Sequence, residues 1–468
     1  MDKVSNTLQP IAMKIANQKF LVALRNAFIG TMPVVMAGSI AVLLNAFLVD
    51  FPMEFGFEGI TGYFQWLIDI NNLVFGASIS VISLLFIFSL GVNIAKVYEV
   101  DELSSGLVAF SAFLITINNS VTNTYALNNP TGENIAALFE GTGIEVAGNE
   151  ILVTIANTIP GSHINTQGYF AAMVVGFVAS IIFAKLMLRD LTIKLPDSMP
   201  PAISKPFLSI IPGLVSLYIV GGLTYVFNMI TESNLVDWVY EVLQTPLLGL
   251  SQNLFSILLV GILIQLFWFF GLHGGNVMAP IMESTFGVAL LANVDAYQSG
   301  QEIPYLWTSV TYNAFRFNGT VGLIIAIFLV SKNEHYRQVA KLGLAPALFN
   351  IGEPVTYGLP VVLNPIMFIP RLLTPTLTML LTYFMTSIGW VSPVTQNVTW
   401  VMPPILYPFF ATGFDWRALV LGIVNIAIVT ITYIPFVKMA NNQAIAEATI
   451  EDDGVQKSEE SEYAESTN

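Results

Sequence analysis

Two short segments of this chain join an ionisable side chain to residues that interrupt helices. One is Gly271-Leu272-His273-Gly274-Gly275-Asn276; the other is Asn350-Ile351-Gly352-Glu353-Pro354. Imidazole and carboxylate both bind hydroxyl groups, and either can take a proton from one. Glycine permits backbone turns that other residues resist, and Pro354 biases Glu353 away from helical geometry, so each segment predicts a helix break at its ionisable group. A sugar suits such a pair. Each sugar hydroxyl donates and accepts, matching a carboxylate, an imidazole and the Asn350 amide, while a C–H face packs on an aromatic ring. Trp400 is the stacking candidate, because Pro403 and Pro404 interrupt the segment that follows it. Structural alternatives stand beside these readings: His273 bonded to a carbonyl at a span end, Glu353 paired with Arg316 or Arg371, and Trp400 in an interfacial aromatic belt.

The elements that must carry these residues are membrane spans. Hydrophobic residues make up 54% of the chain and charged residues 10%, which excludes an ordinary soluble enzyme of this size. Apolar runs of about 20 residues recur, as in 206–230, 251–272 and 417–437, long enough for a helix to cross a bilayer. They are continuously apolar and lack a period of two, so the expected class is an all-α polytopic membrane protein and not a barrel. A carboxylate at bilayer depth costs roughly 2.5–3.5 kcal/mol, so Glu353 needs a partner, a polar ligand or a wet cavity. The chain has no cysteine, which excludes disulfides, thiolate metal sites and covalent intermediates on its own sulfur. No metal, cofactor or nucleic acid is expected.

Hydropathy predicts about ten spans, near 27–49, 73–95, 103–119, 168–188, 206–230, 251–271, 276–293, 305–331, 364–388 and 417–438. With a cytoplasmic N-terminus, every Lys and Arg except Arg316, Arg371 and Arg417 falls at or near the cytoplasmic side, as the positive-inside rule requires, and both termini are cytoplasmic. Residues 120–167, without Lys or Arg, form an outer loop. Residues 4–19 and 233–250 read as interfacial amphipathic helices, and the segment around Glu353 reads as re-entrant from the cytoplasmic side. Four regions follow: 1–230, small-residue spans suited to packing or a subunit interface; 231–250, a linker helix; 251–440, the half holding the ligand path; and 441–468, a solvated, disordered acidic tail with Glu447, Glu451, Asp452, Asp453, Glu459, Glu460, Glu462 and Glu465.

Gly271 to Gly274, together with Asn350 to Pro365, make the chain resemble the enzyme IIC membrane component of the bacterial sugar phosphotransferase system, in its lactose/cellobiose/diacetylchitobiose branch. The likeness runs nearly to Met439. It implies a homodimer in the bacterial cytoplasmic membrane, with ten spans, two re-entrant hairpins and two amphipathic helices. It also implies inward transport of a β-linked disaccharide and phosphorylation by a separate IIB subunit with IIA upstream, the donor being a phosphocysteine on IIB. Carried over, His273 and Glu353 hold the hydroxyl that is phosphorylated, with Gly274, Asn350 and Trp400 completing the pocket. An ion-coupled transporter with Glu353 as coupling site, or a receptor without transport, are the rival classes.

Overall fold

The computed structural model describes residues 18–50, 52, 57, 59–126, 144–147, 150–195, 201–270, 272–316, 318–359 and 365–466. The interfacial helix expected at 4–19 falls almost wholly outside them. Contacts divide the chain into two units, one formed by Asn17–Leu48 with Gly59–Gly249, the other built on Leu250–Asn468. The linker helix expected at 231–250 thus groups with the first unit.

The first unit contains α1 (Lys19–Asn45), α2 (Gln65–Gly76), α3 (Ile82–Tyr98) and α4 (Glu102–Thr116). A three-stranded sheet follows, then α5 (Tyr169–Leu188), α6 (Ile210–Thr231) and α7 (Leu235–Ser251). Small residues bring its helices together. A Cβ on Gly91 would lie 2.8 Å from the Ala109 side chain and from the Ser105 carbonyl, and Ser105 Oγ donates to the Gly91 carbonyl at 2.9 Å. On α6, Gly213, Ser216, Val220 and Thr224 are buried while Leu214, Tyr218, Tyr225 and Ile230 are exposed. Small or polar residues inward and large apolar ones outward is the pattern of a helix solvated by acyl chains.

The outer loop holds more order than its Asn, Thr and Gly content suggested. Strands β1 (Ser120–Ala126), β2 (Ile144–Ala147) and β3 (Glu150–Ala156) pair antiparallel in the order β1-β3-β2, with Ser120 opposite Ala156 and Ile144 opposite Val153. The Ile, Leu, Val and Thr run of 151–155 favours a pleated strand, and Thr122 bonds Thr154 across the pair at 2.9 Å.

The second unit contains α8 (Leu254–Phe269), α9 (Gly274–Ile281), a π-helical turn at Met282–Gly287, α10 (Val288–Gln298), α11 (Ser309–Arg316) and α12 (Asn318–Val330). The hairpin α13 (Glu334–Ala347) and α14 (Glu353–Gly358) comes next, then α15 (Pro365–Ser387), α16 (Leu406–Ala411) and α17 (Trp416–Ser466). Hydroxyls inside α15 and α17 are satisfied within their own helices. Thr374, Thr386 and Thr430 donate to the carbonyls of Pro370, Thr382 and Ile426 at 2.8, 2.9 and 2.9 Å. The backbone of α17 stays helical through the acidic end for which composition predicts disorder, a stretch with several helix-forming Ala and Glu residues.

Among the described residues eight helices are long and apolar enough to cross a membrane, and a ninth arises if the bent pair α7 and α8 counts as one span. With the shorter apolar α4, these account for every segment read as a span from hydropathy. The protein is a polytopic helical membrane protein.

Candidate functional site

His273 stands where α8 gives way to α9. Leu272 N–H still reaches the Phe267 carbonyl at 3.0 Å, and His273, in extended backbone, then caps the next helix. Its Nδ1 accepts from Asn276 N–H at 3.1 Å. An imidazole nitrogen that accepts carries no proton, so the neutral ring holds its hydrogen on Nε2. Gly274 is buried beneath this turn. A Cβ there would strike the Ile264 carbonyl and lie 2.9 Å from Trp268 Cδ1, so the residue serves as a spacer that lets α9 start tightly against α8.

Glu353 is held by the hairpin α13–α14. The turn after α13 needs a left-handed residue, and Asn350 supplies it with φ of 62°. Asn350 N–H and Ile351 N–H close on the carbonyls of Ala347 and Pro346 at 3.1 and 3.0 Å. The two helices then lie close because of glycine: a Cβ on Gly343 would strike Val355, and one on Gly358 would come 2.8 Å from Val339. Gly352 meets α12 in the same way, 2.6 Å from Thr320 Oγ1. Val355 is 1% exposed in a core with Ile324, Ile327, Tyr336 and Val429, so α14 is anchored by one face while Glu353 starts it.

These two breaks bring the ionisable groups together. His273 Nε2 lies 3.6 Å from Glu353 Oε1, and each side chain is 44% exposed. That separation is too long for a good direct hydrogen bond. It is short enough that one hydroxyl oxygen can stand about 2.8 Å from both, accepting from Nε2–H and donating to the carboxylate. Among the described residues Glu353 pairs with neither Arg316 nor Arg371.

Three residues that the sequence does not assign to a sugar pocket complete the surroundings. The Trp268 ring stands 4.4 Å from the His273 ring and 6.3 Å from that of Tyr357, and the Arg371 guanidinium lies over Trp268 at 5.5 Å. Signals existed for two of them. Tyr357 is four residues after Glu353, on the same helix face, and Arg371 is one of the cations that the topology leaves unexplained. Asn350 and Trp400 form a separate arrangement. Asn350 Nδ2 donates to the Trp400 and Met402 carbonyls at 2.7 and 2.6 Å, clamping the 400–402 turn onto the hairpin, while its Oδ1 is buried without a partner. Trp400 is 48% exposed, and among the described residues neither side chain makes a hydrogen bond or ring contact with His273 or Glu353. The described residues hold no cluster of metal-ligating side chains.

Residues 25–375 match the family model described as "Phosphotransferase system, EIIC". The chain is a member of that family. The matched stretch takes in His273, Asn350 and Glu353, and relatives matched along almost their whole length extend the likeness past Trp400. The cellobiose-specific EIIC component of Lactococcus lactis is 38% identical, over 93% of this chain and 96% of the relative. The lichenan permease IIC component of Bacillus subtilis is 31% identical, over 96% of each. The crystal structure of the transporter ChbC, the IIC component of an N,N'-diacetylchitobiose-specific phosphotransferase system, superposes with a TM-score of 0.82 at 25% identity, covering 95% of this chain and 99% of that one. This EIIC protein is therefore a sugar-transport component of the phosphotransferase system, embedded in the membrane by multiple spans.

Proposed function

We propose that this EIIC protein carries a β-linked disaccharide of the cellobiose class inward and presents one of its hydroxyls to a phosphorylated IIB subunit. The observation that carries the proposal is the open His273–Glu353 pair, whose 3.6 Å gap suits a bridging hydroxyl. The relatives named for cellobiose and lichenan, both β-linked glucosides, support the substrate class.

In this reading Nε2–H of His273 donates to the hydroxyl oxygen and fixes its direction, and Glu353 receives the hydroxyl proton. The oxygen–phosphorus bond forms as the phosphorus–sulfur bond of the IIB phosphocysteine breaks, and the thiolate leaves. Trp268 and Trp400 offer ring faces for the sugar, while Asn350 acts by holding the 400–402 turn. A homodimer, cytoplasmic termini and an upstream IIA belong to the same proposal.

Uptake into proteoliposomes containing the full chain tests it. Accumulation of labelled cellobiose as its phosphate is expected only with phosphorylated IIB on the cytoplasmic side, and a proton uncoupler should leave the rate unchanged. Donor-independent uptake that collapses with the uncoupler would overturn the reading in favour of ion coupling at Glu353.

A further inference from the structure

Arg371 is a guanidinium inside a membrane-spanning helix, α15, with no ion-pair partner among the described residues. Its Nε is buried without any acceptor. Among the described residues its Nη groups make no hydrogen bond either. A charge at this depth is retained where it pairs, or where it serves a ligand path. Arg371 has no ion-pair partner among the described residues, so the ligand path is the explanation to pursue.

Its position can be fixed from two directions. The guanidinium lies over the Trp268 ring at 5.5 Å, and that ring in turn stands 4.4 Å from His273. On its other side the Trp268 ring stands 6.3 Å from that of Tyr357, one helical turn from Glu353 on α14. Arg371 is thus one aromatic ring, Trp268, away from His273, the partner of Glu353. A disaccharide is neutral and gives a guanidinium no charge to meet. A transferring phosphoryl group, and the phosphorylated sugar that results, are anionic and match the planar donor fork of arginine.

We propose that Arg371 binds the phosphoryl group delivered to the sugar, with Trp268, which also stands against His273, holding its guanidinium in place. The inference rests on the phosphorylation reading above. Arg371 moves no proton; it meets the non-bridging phosphoryl oxygens while the oxygen–phosphorus bond forms, and afterwards holds the product. Positively charged clamps on a transferring phosphoryl group act chiefly in the transition state.

The test compares cellobiose with cellobiose phosphorylated at a primary hydroxyl, by equilibrium binding to the purified full-length protein. In R371Q, cellobiose affinity should stay within about threefold, while affinity for the phosphorylated sugar falls at least about tenfold and IIB-dependent phosphorylation slows by about 10²-fold or more. R371K keeps the charge but loses the fork, and should recover part of both losses. Equal loss of both affinities would reduce Arg371 to a support for Trp268 and overturn the proposal, as would no change in either. If R371Q does not fold, R371K decides on the same ratio: a selective loss for the phosphorylated sugar supports the assignment, and an unchanged ratio rejects it. Wild-type protein that binds neither sugar would instead sink the transport reading, and binding of inorganic phosphate to wild type against R371K would then judge Arg371 alone.

Discussion

The molecule contains two histidine–carboxylate pairs, built for opposite ends. His163, 4% exposed at its side chain, meets Asp237 at 3.0 Å. His273 and Glu353 stand 3.6 Å apart, each 44% exposed. In the first pair the imidazole is sealed and the hydrogen bond is already made, fastening the loop before α5 to α7. In the second, both groups are reachable and unsatisfied by one another. The two pairs differ not in residue type but in an extra 0.6 Å of separation (3.6 against 3.0 Å) and in exposure, which leave His273 and Glu353 open to a third atom from the side. Gln244, buried beside the first pair's loop, spends its amide on the Thr166 carbonyl and on Phe170 N–H. Orphaned buried atoms do not separate the two pairs: His163 Nδ1 lacks a partner at the first, as Asn350 Oδ1 and Arg371 Nε do near the second.

Substitutions can break this contrast. The largest effect is expected at Glu353. E353Q keeps the shape but cannot take a proton, and should lower IIB-dependent phosphorylation by about 10²–10⁴-fold with cellobiose binding reduced far less. Wild-type phosphorylation rates with sugar still bound would remove Glu353 from the proton-accepting role. H273A deletes the donor to the hydroxyl and also the cap of α9, so both affinity and rate should fall, each by about tenfold or more. H163A at the closed pair should do the reverse: it lowers the midpoint of thermal unfolding, through a loss of about 1–3 kcal/mol, and leaves cellobiose affinity within about twofold. A strong loss of affinity in H163A would erase the distinction between the pairs.

Asn350 sharpens the comparison at intermediate size. N350G retains the freedom needed at φ of 62° but loses the clamp on the Trp400 and Met402 carbonyls, whereas N350A loses the clamp and adds backbone strain. If the clamp positions Trp400, both variants should weaken sugar affinity to a similar extent, with N350A the less stable. Affinity intact in N350G would remove the 400–402 turn from the site.

The smallest effect concerns Asp415, just before α17. Burial pushes its carboxyl up, but bonds from Arg417 Nε, Nη2 and N–H and from Ser392 N–H, at 2.8 to 3.0 Å, together hold it below its usual value. Its folded value therefore lies under the unfolded one near pH 3.9, so the stability it contributes is fully present above about pH 4 and drains away as pH falls through the folded value. Thermal unfolding midpoints measured from pH 7 to pH 3 should show that acid-side loss in wild type and a weaker one in D415N.

Much of this was legible in the sequence because membrane helices follow from composition: continuous apolar runs marked every span, and Gly and Pro marked the breaks at His273 and Glu353. That these breaks face each other, although far apart in the chain, could be suggested only by family resemblance, since spacing along a sequence says nothing about which helix ends meet. Trp268 and Arg371 were hidden for a related reason. An aromatic at a span end reads as an interfacial anchor, and Arg371 reads as a pairing alternative for Glu353, until packing places the guanidinium over Trp268. His163 falls in the segment that the sequence reads as an outer loop, and only the fold of α7 supplies Asp237. Asn350 was read as a pocket amide; its left-handed backbone and the two carbonyls it clamps could not be foreseen from residue type.

The central claim is that one sugar hydroxyl occupies the gap between His273 and Glu353, and an experimental structure of the protein with bound cellobiose tests it most directly. The account predicts a hydroxyl oxygen within hydrogen-bonding distance of both Nε2 and the carboxylate. Cellobiose bound elsewhere in the molecule, with the two side chains bonded directly to each other, would contradict it.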